Sequence, residues 1–495
     1  MDPGILIFLT SGLFLGWALG ANDAANVFGT AVGTRMIRFT TAAIICSIFV
    51  VLGATISGAG AAHTLGKLGA INALPGSFMA ALAAAVSVYL MTKAGWPVST
   101  TQAIVGAIVG WNLFSETITD QGALIKILST WVICPILAAV IAAALFKVTT
   151  AVVRRAKLHM LRTDAYTRAG LVFAGAFGAY SLGANNIANV MGVFVPASPF
   201  TAFTFAEGWT ISSAQQLFLL GAVAIAVGVM TYSKRVMMTV GGGLMPLSPI
   251  AAWVAVVSHS VVLFLFASQG LEHFLASNGL PTIPLVPVSS SQAVVGAVLG
   301  IALLKGGRGI RWRVMGGISM GWAVTPLIAG VVCYVGLFFL QNVFDQPVYR
   351  PVPYAVSDQV VERLQKEGID AKVLSGVKGE VFDSAVDLRR KLKADTSIDE
   401  KSRDAILAFA RQDTVSLSEE RYERLSAGPL NSERMATVVG MSGRVFAHEW
   451  MLKEVLAAAS PAWQSHDATP GNRTYNRKLA NDFAFVIRTF RGIKR

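Results

Sequence analysis

Ten apolar stretches follow one another along the first two thirds of the chain, near 4–31, 40–61, 77–94, 97–113, 124–148, 169–195, 214–232, 247–268, 286–304 and 314–341. Most approach the ~20 consecutive apolar residues that a helix needs to cross a bilayer, which predicts helices immersed in lipid. The fourth and ninth are short enough for another arrangement. Their length predicts arms of re-entrant hairpins, tolerated at membrane depth only where protein or water covers the backbone. From Asp345 onward the pattern changes: the remaining residues hold 21 acids and 24 bases and no apolar run long enough to span. That predicts a separate soluble C-terminal domain. Within it, Asp358–Glu367 and Ala405–Arg411 read as amphipathic helices and Ala371–Leu374 as a short strand, while the Ser-, Pro-, Gly- and Asn-rich stretch from Ser460 to Asn476 reads as disordered.

The apolar pattern is duplicated. Gly20-Ala-Asn-Asp-Ala-Ala-Asn26 recurs 163 residues on as Gly183-Ala-Asn-Asn-Ile-Ala-Asn189. Pro97-Val-Ser-Thr-Thr-Gln102 recurs after 190 residues as Pro287-Val-Ser-Ser-Ser-Gln292, and Trp131 with Pro135 recurs after 191 as Trp322 with Pro326. Each copy holds five apolar segments, an odd number, so the second copy is expected upside down in the membrane relative to the first. The expected fold is therefore an all-α polytopic membrane protein with two inverted repeats, re-entrant hairpins and a soluble tail. Its parts are repeat 1 (1–148), a basic cytoplasmic loop (149–168), repeat 2 (169–344) and the tail (345–495). Inverted repeats of this kind mark secondary transporters whose site lies near the bilayer midplane.

Composition agrees with this reading: 54% of the 495 residues are hydrophobic and only 14% charged. The formal charge of +13 does not imply nucleic acid as a partner, because 17 Lys and Arg but only seven acids lie before residue 345, mostly in membrane loops. Alternate connections collect fifteen of those bases, among them Arg35, Arg38, Arg154, Arg155, Lys234 and Arg313, against Lys67 and Lys126 on the other side. Short loops rich in Lys and Arg stay cytoplasmic, so both termini are expected outside. No cleavable leader is expected ahead of the first segment. Cys46, Cys134 and Cys333 lie in apolar stretches, as packing residues and not as a disulfide or metal set.

Of the seven acids, Asp23 alone lies inside an apolar segment. An unpaired buried carboxylate costs several kcal/mol, so such an acid implies a cation or proton as partner, beside a purely structural role at a helix break. Asn22, Asn26, Asn185, Asn186 and Asn189 surround the equivalent places with amide oxygens, a donor set suited to a hard monovalent cation such as sodium. The second motif starts with proline, favoured in the first turn of a helix, and would set hydroxyls beside free backbone N–H groups: Ser99, Thr100, Thr101, Ser289, Ser290 and Ser291, followed by Gln102 and Gln292. A helix start of that kind is an anion site, and two of them could enclose one tetrahedral oxyanion; ordinary capping is the plainer reading of either motif alone. Gly20, Gly106, Gly183 and Gly296 read as close-packing positions between helices, and the six histidines as structural or exposed.

These motifs resemble the inorganic phosphate transporter (PiT) family over residues 4 to 341: Gly20-Ala-Asn-Asp23 matches its first signature and Pro97-Val-Ser-Thr-Thr101 its hairpin. The resemblance implies broken helices, phosphate held by the hairpin hydroxyls, and sodium or protons coupled at Asp23, Asn26 and Asn189, with no further cofactor. The chain departs where the second copy usually carries Asp and here carries Asn186, and where the second hairpin reads Ser-Ser-Ser. Sulfate in place of phosphate stays open, as does a transporter-derived sensor acting through the tail. An intramembrane protease lacks a second membrane acid, and an enzyme is not expected. The expected partners are phosphate or a related oxyanion and the lipid bilayer; a homodimer is compatible with the sequence.

Overall fold

The computed structural model describes residues 3–93, 98–157, 159–200, 203–206, 209–240, 247–307, 310–369, 374–395, 398–426, 428, 430–467 and 469–491. Among the described residues, all ten apolar stretches fall mainly on helices. The first half contains α1 (Pro3–Gly33), α2 (Phe39–Ser57), α3 (Ala59–Leu68), α4 (Leu74–Lys93), α5 (Thr100–Phe114) and α6 (Gln121–Ala156). The second contains α7 (Met160–Met191), α8 (Ser213–Thr231), α9 (Ser233–Val240), α10 (Pro249–Ala267), α11 (Gln269–Ser277), α12 (Ser290–Leu304) and α13 (Trp312–Asn342). Among the described residues, α1, α2, α4, α6, α8, α10 and α13 are long and apolar enough to cross a membrane. By contrast, α5 and α12 have 15 residues each. At 1.5 Å per residue each is about 22 Å long, short of a ~30 Å hydrocarbon core. Both bury nearly every side chain, whereas α6 and α13 turn Val132, Ile136, Val140, Leu327, Val331 and Phe338 outward.

The two halves are interlocked. Helix α1 packs on α8 of the other half and α2 on α7; likewise α5 packs on α13 and α6 on α12. Glycines permit these crossings because a side chain would strike the facing backbone. A Cβ at Gly20 would lie 2.0 Å from the Ile225 carbonyl oxygen, and one at its counterpart Gly183 would lie 2.1 Å from that of Val50. One at Gly106 would lie 2.0 Å from the Pro326 oxygen, and one at Gly296 2.2 Å from that of Pro135. Equivalent glycines meet equivalent partners in the two halves.

Beyond the helices, the second half carries a short antiparallel hairpin, Phe203–Ala206 with Trp209–Ile211. After α13 the chain lays Val348 into the membrane core, where its carbonyl accepts the Trp111 indole N–H at 3.1 Å, and Arg350 exchanges two hydrogen bonds with Asn72.

The tail is itself duplicated. Tyr354–Ala355 pairs with Val381–Phe382, and Val415–Ser416 with Val445–Phe446. Each pairing follows a glycine at positive φ, Gly379 at 78° and Gly443 at 80°, within Gly-Val-Lys-Gly-Glu-Val-Phe382 and Gly-Met-Ser-Gly-Arg-Val-Phe446. Each copy has its own apolar core. Ile118 of the first half packs against the first, and the helix Arg473–Phe490 of the second copy lies against α11. The Ser460–Asn476 stretch is not the disordered segment expected: Pro461–Trp463 is helical and Trp463 is 1% exposed, held in the second core beside the buried Arg434–Asp482 pair. Residues 371–373 of the expected strand lie outside the described residues, and Leu374 is helical, followed by a turn from Ser375.

Candidate functional site

Each half contributes one long helix and one short one to a buried polar centre. Helices α1 and α7 carry the Asn-rich motifs in mid-helix. The starts of α5 and α12 carry the hydroxyls. Ser99 and Ser289 are the N-caps: both have extended backbone, and their side chains accept from the Gln102 and Gln292 amides at 3.4 and 3.2 Å. A cap of this kind satisfies one N–H of the first turn and leaves others free, which gives a helix start its affinity for anions. Proline does not open the helix, as its place in the motif suggested. Pro287 lies two residues before the cap, in chain held extended by Asn185, whose Oδ1 accepts the Val288 N–H at 3.0 Å. Pro97 lies outside the described residues.

The four motifs meet. Asp23, 3% exposed, accepts the Asn22 amide at 3.0 Å on one oxygen and the Asn186 amide at 3.1 Å on the other. Thr100 also reaches this carboxylate. Asn189 donates to Thr101 Oγ1 at 2.8 Å and to Asn186 Oδ1 at 3.3 Å, while Asn26 donates to Ser290 Oγ at 3.0 Å. The asparagines of α1 and α7 thus reach across to the short helices: Asn26 to the start of α12, Asn189 to the start of α5. Ser289 and Ser291 hydroxyls lie 3.0 Å apart, and Thr101 donates to the Val288 carbonyl at 3.2 Å.

All fourteen expected side chains, Asn22, Asp23, Asn26, Ser99, Thr100, Thr101, Gln102, Asn185, Asn186, Asn189, Ser289, Ser290, Ser291 and Gln292, are buried. Their chemistry divides. Asn189 Oδ1, Gln102 Oε1 and Gln292 Oε1 are buried oxygens without a partner. With the Asp23 carboxylate, the Asn189 oxygen offers a cation its ligands. The Ser and Thr hydroxyls and the free N–H groups offer an anion its donors. Asn185 belongs to neither set, since it fastens the chain before α12. One residue was given no place in the transport site by the sequence: His259 of α10, fully buried, has Nε2 2.9 Å from Ser290 Oγ. A lone histidine in an apolar helix, without metal spacing, carries no signal of what its helix will cross.

Membrane-crossing helices around a buried centre of hydroxyls, amides and one carboxylate are the frame of a membrane transporter. The chain belongs to the phosphate transporter family, whose model matches residues 19–333 and 276–400. This is a family of transporters, not of enzymes. A relative in Pyrococcus furiosus named "putative phosphate permease" is 27% identical over 414 residues, covering 68% of this chain and 96% of its own length. One of the same name in Haemophilus influenzae is 25% identical, covering 69% and 98%. A solved structure titled the sodium-dependent phosphate transporter shares the fold, with a TM-score of 0.55 and 22% identity over 68% of this chain and 98% of that one. About a third of this chain therefore has no counterpart in them.

Proposed function

We propose that this chain is a secondary active carrier of inorganic phosphate, binding the anion between the starts of α5 and α12 and a sodium ion or proton at Asp23. The observation that carries this reading is the pair of links from Asn26 to Ser290 and from Asn189 to Thr101. They join the carboxylate's own helix, α1, and the helix that donates to it, α7, to the two anion-binding helix starts, so occupancy of one site alters the geometry of the other. Ser99, Thr100, Thr101, Ser289, Ser290 and Ser291, with Gln102 and Gln292, line the phosphate site; the serine hydroxyls and the free N–H groups are its donors, while Thr101 gives its hydrogen to the Val288 carbonyl and holds the two helix starts together. Asp23, Asn26 and Asn189 are the cation ligands, with Asn22 and Asn186 orienting the carboxylate. The cation neutralises the buried charge, phosphate enters between the hairpins, and one bundle rocks against the other to expose the site alternately.

The domains are repeat 1, the basic loop, repeat 2 inverted to it, and the tail from 345. The basic loops face the cytoplasm of the cell membrane and the termini the outside. Radiolabelled phosphate uptake into proteoliposomes under an imposed sodium or proton gradient tests the reading. Gradient-dependent uptake that resists excess unlabelled sulfate is expected. Absent uptake, or uptake abolished by sulfate, would remove phosphate as the cargo.

A further inference from the structure

The two hairpins are not chemically equivalent. In the first, Thr101 accepts from Asn189 and spends its own hydrogen on the Val288 carbonyl. In the second, Ser290 Oγ has two side-chain neighbours: Asn26 Nδ2 at 3.0 Å and His259 Nε2 at 2.9 Å. No histidine stands on α4, the helix that holds the same place in the first half as α10 in the second.

A serine hydroxyl has two lone pairs and one hydrogen. The Asn26 amide, a donor, occupies one lone pair. What remains depends on the imidazole. If Nε2 carries the ring hydrogen, His259 fills the second lone pair, and the Ser290 O–H is left as the one thing this side chain can offer. If Nδ1 carries it, Nε2 takes the Ser290 hydrogen, and the hydroxyl turns only a lone pair toward an anion. Nδ1 is buried without a partner, so a hydrogen there would be stranded in protein. The hydrogen bond made by one ring nitrogen fixes the state of the other.

We propose that His259 is a positioning residue for substrate: by donating from Nε2 to Ser290 Oγ it frees the Ser290 hydroxyl to donate to the bound oxyanion. This rests on the reading that the start of α12 holds phosphate. An oxyanion selects the required tautomer itself, because only that one gives it a donor. The second hairpin thereby gains a hydroxyl donor whose direction is set from outside the hairpin.

The test is phosphate uptake kinetics in proteoliposomes, at equal protein content, for Ser290→Ala, His259→Leu, His259→Gln and the Ser290→Ala/His259→Leu double variant. Ser290→Ala and His259→Leu should each raise KM for phosphate roughly tenfold, the scale of one hydrogen bond to a charged group, with Vmax within about twofold. The glutamine amide can donate where imidazole Nε2–H does, so His259→Gln should return KM to within about threefold of the parent. The double variant should be no worse than Ser290→Ala, because His259 acts only through that hydroxyl. Multiplying effects in the double variant, or a glutamine variant as impaired as the leucine one, would overturn the proposal. An unchanged KM in Ser290→Ala would instead bring down the phosphate assignment of the hairpin, and the proposal with it.

Discussion

Asp23 and Asn186 stand 163 residues apart at equivalent places in the two repeats, and their side chains meet. In this chain the encounter joins a carboxylate to an amide, so the Asn186 N–H supplies part of the positive field that a second cation would otherwise supply. Asn186→Asp would set two carboxylates face to face, and like charges that close cannot both ionise without a cation or proton between them. The variant should show a steeper dependence of uptake on the coupling ion and lose uptake when that ion is scarce, which initial rates against ion concentration would reveal. Asp23→Asn should abolish gradient-driven accumulation altogether; accumulation to the parental level would exclude Asp23 as the coupling residue. At this scale much was legible. Asp23 stands out because an acid in an apolar segment has few innocent explanations, and its Asn neighbours because they recur. His259 does not recur, and its helix meets Ser290 only through tertiary packing.

The elements were legible wherever hydrophobicity persists for a membrane's thickness, and less so at their ends. The starts of α5 and α12 each depend on a serine cap, and that of α12 also on Asn185 holding the preceding chain, neither of which a proline reveals. The tail's duplication was open to reading in its Gly-x-x-Gly-x-Val-Phe segments, but two pairs of two-residue strands leave almost no period-2 pattern to follow. Packing of the elements gives sharper predictions. Gly106→Val should destabilise the detergent-solubilised protein by about 3 kcal/mol or more, since its Cβ meets the Pro326 carbonyl, while Gly66→Ala, inside α3 with open space around it, should leave the thermal midpoint unlowered or slightly raised. In the tail, Arg434→Ala strands the Asp482 carboxylate in a core and should cost about 3–5 kcal/mol, read as faster proteolysis after residue 430.

For the whole molecule, the tail is bound to the membrane part as well as joined to it. A chain ending at 352 keeps the Val348 carbonyl that accepts from Trp111; one ending at 344 leaves that buried indole N–H unpaired, at a cost of about 1–3 kcal/mol. The chain ending at 352 should therefore melt higher than the one ending at 344, a comparison that separates these local bonds, the Arg350–Asn72 pair included, from whatever the rest of the tail does.

The glycine crossings carry a last consequence. Because α1 rests on α8 and α7 on α2, neither half can complete its own interior; each supplies what the other lacks, as partners do in a swapped dimer. Split in the basic connection after residue 157, the two fragments should be degraded when made alone and should recover phosphate uptake when made together. In its packing the single chain behaves as a fused pair of subunits, with the Met160 end of α7 marking the seam.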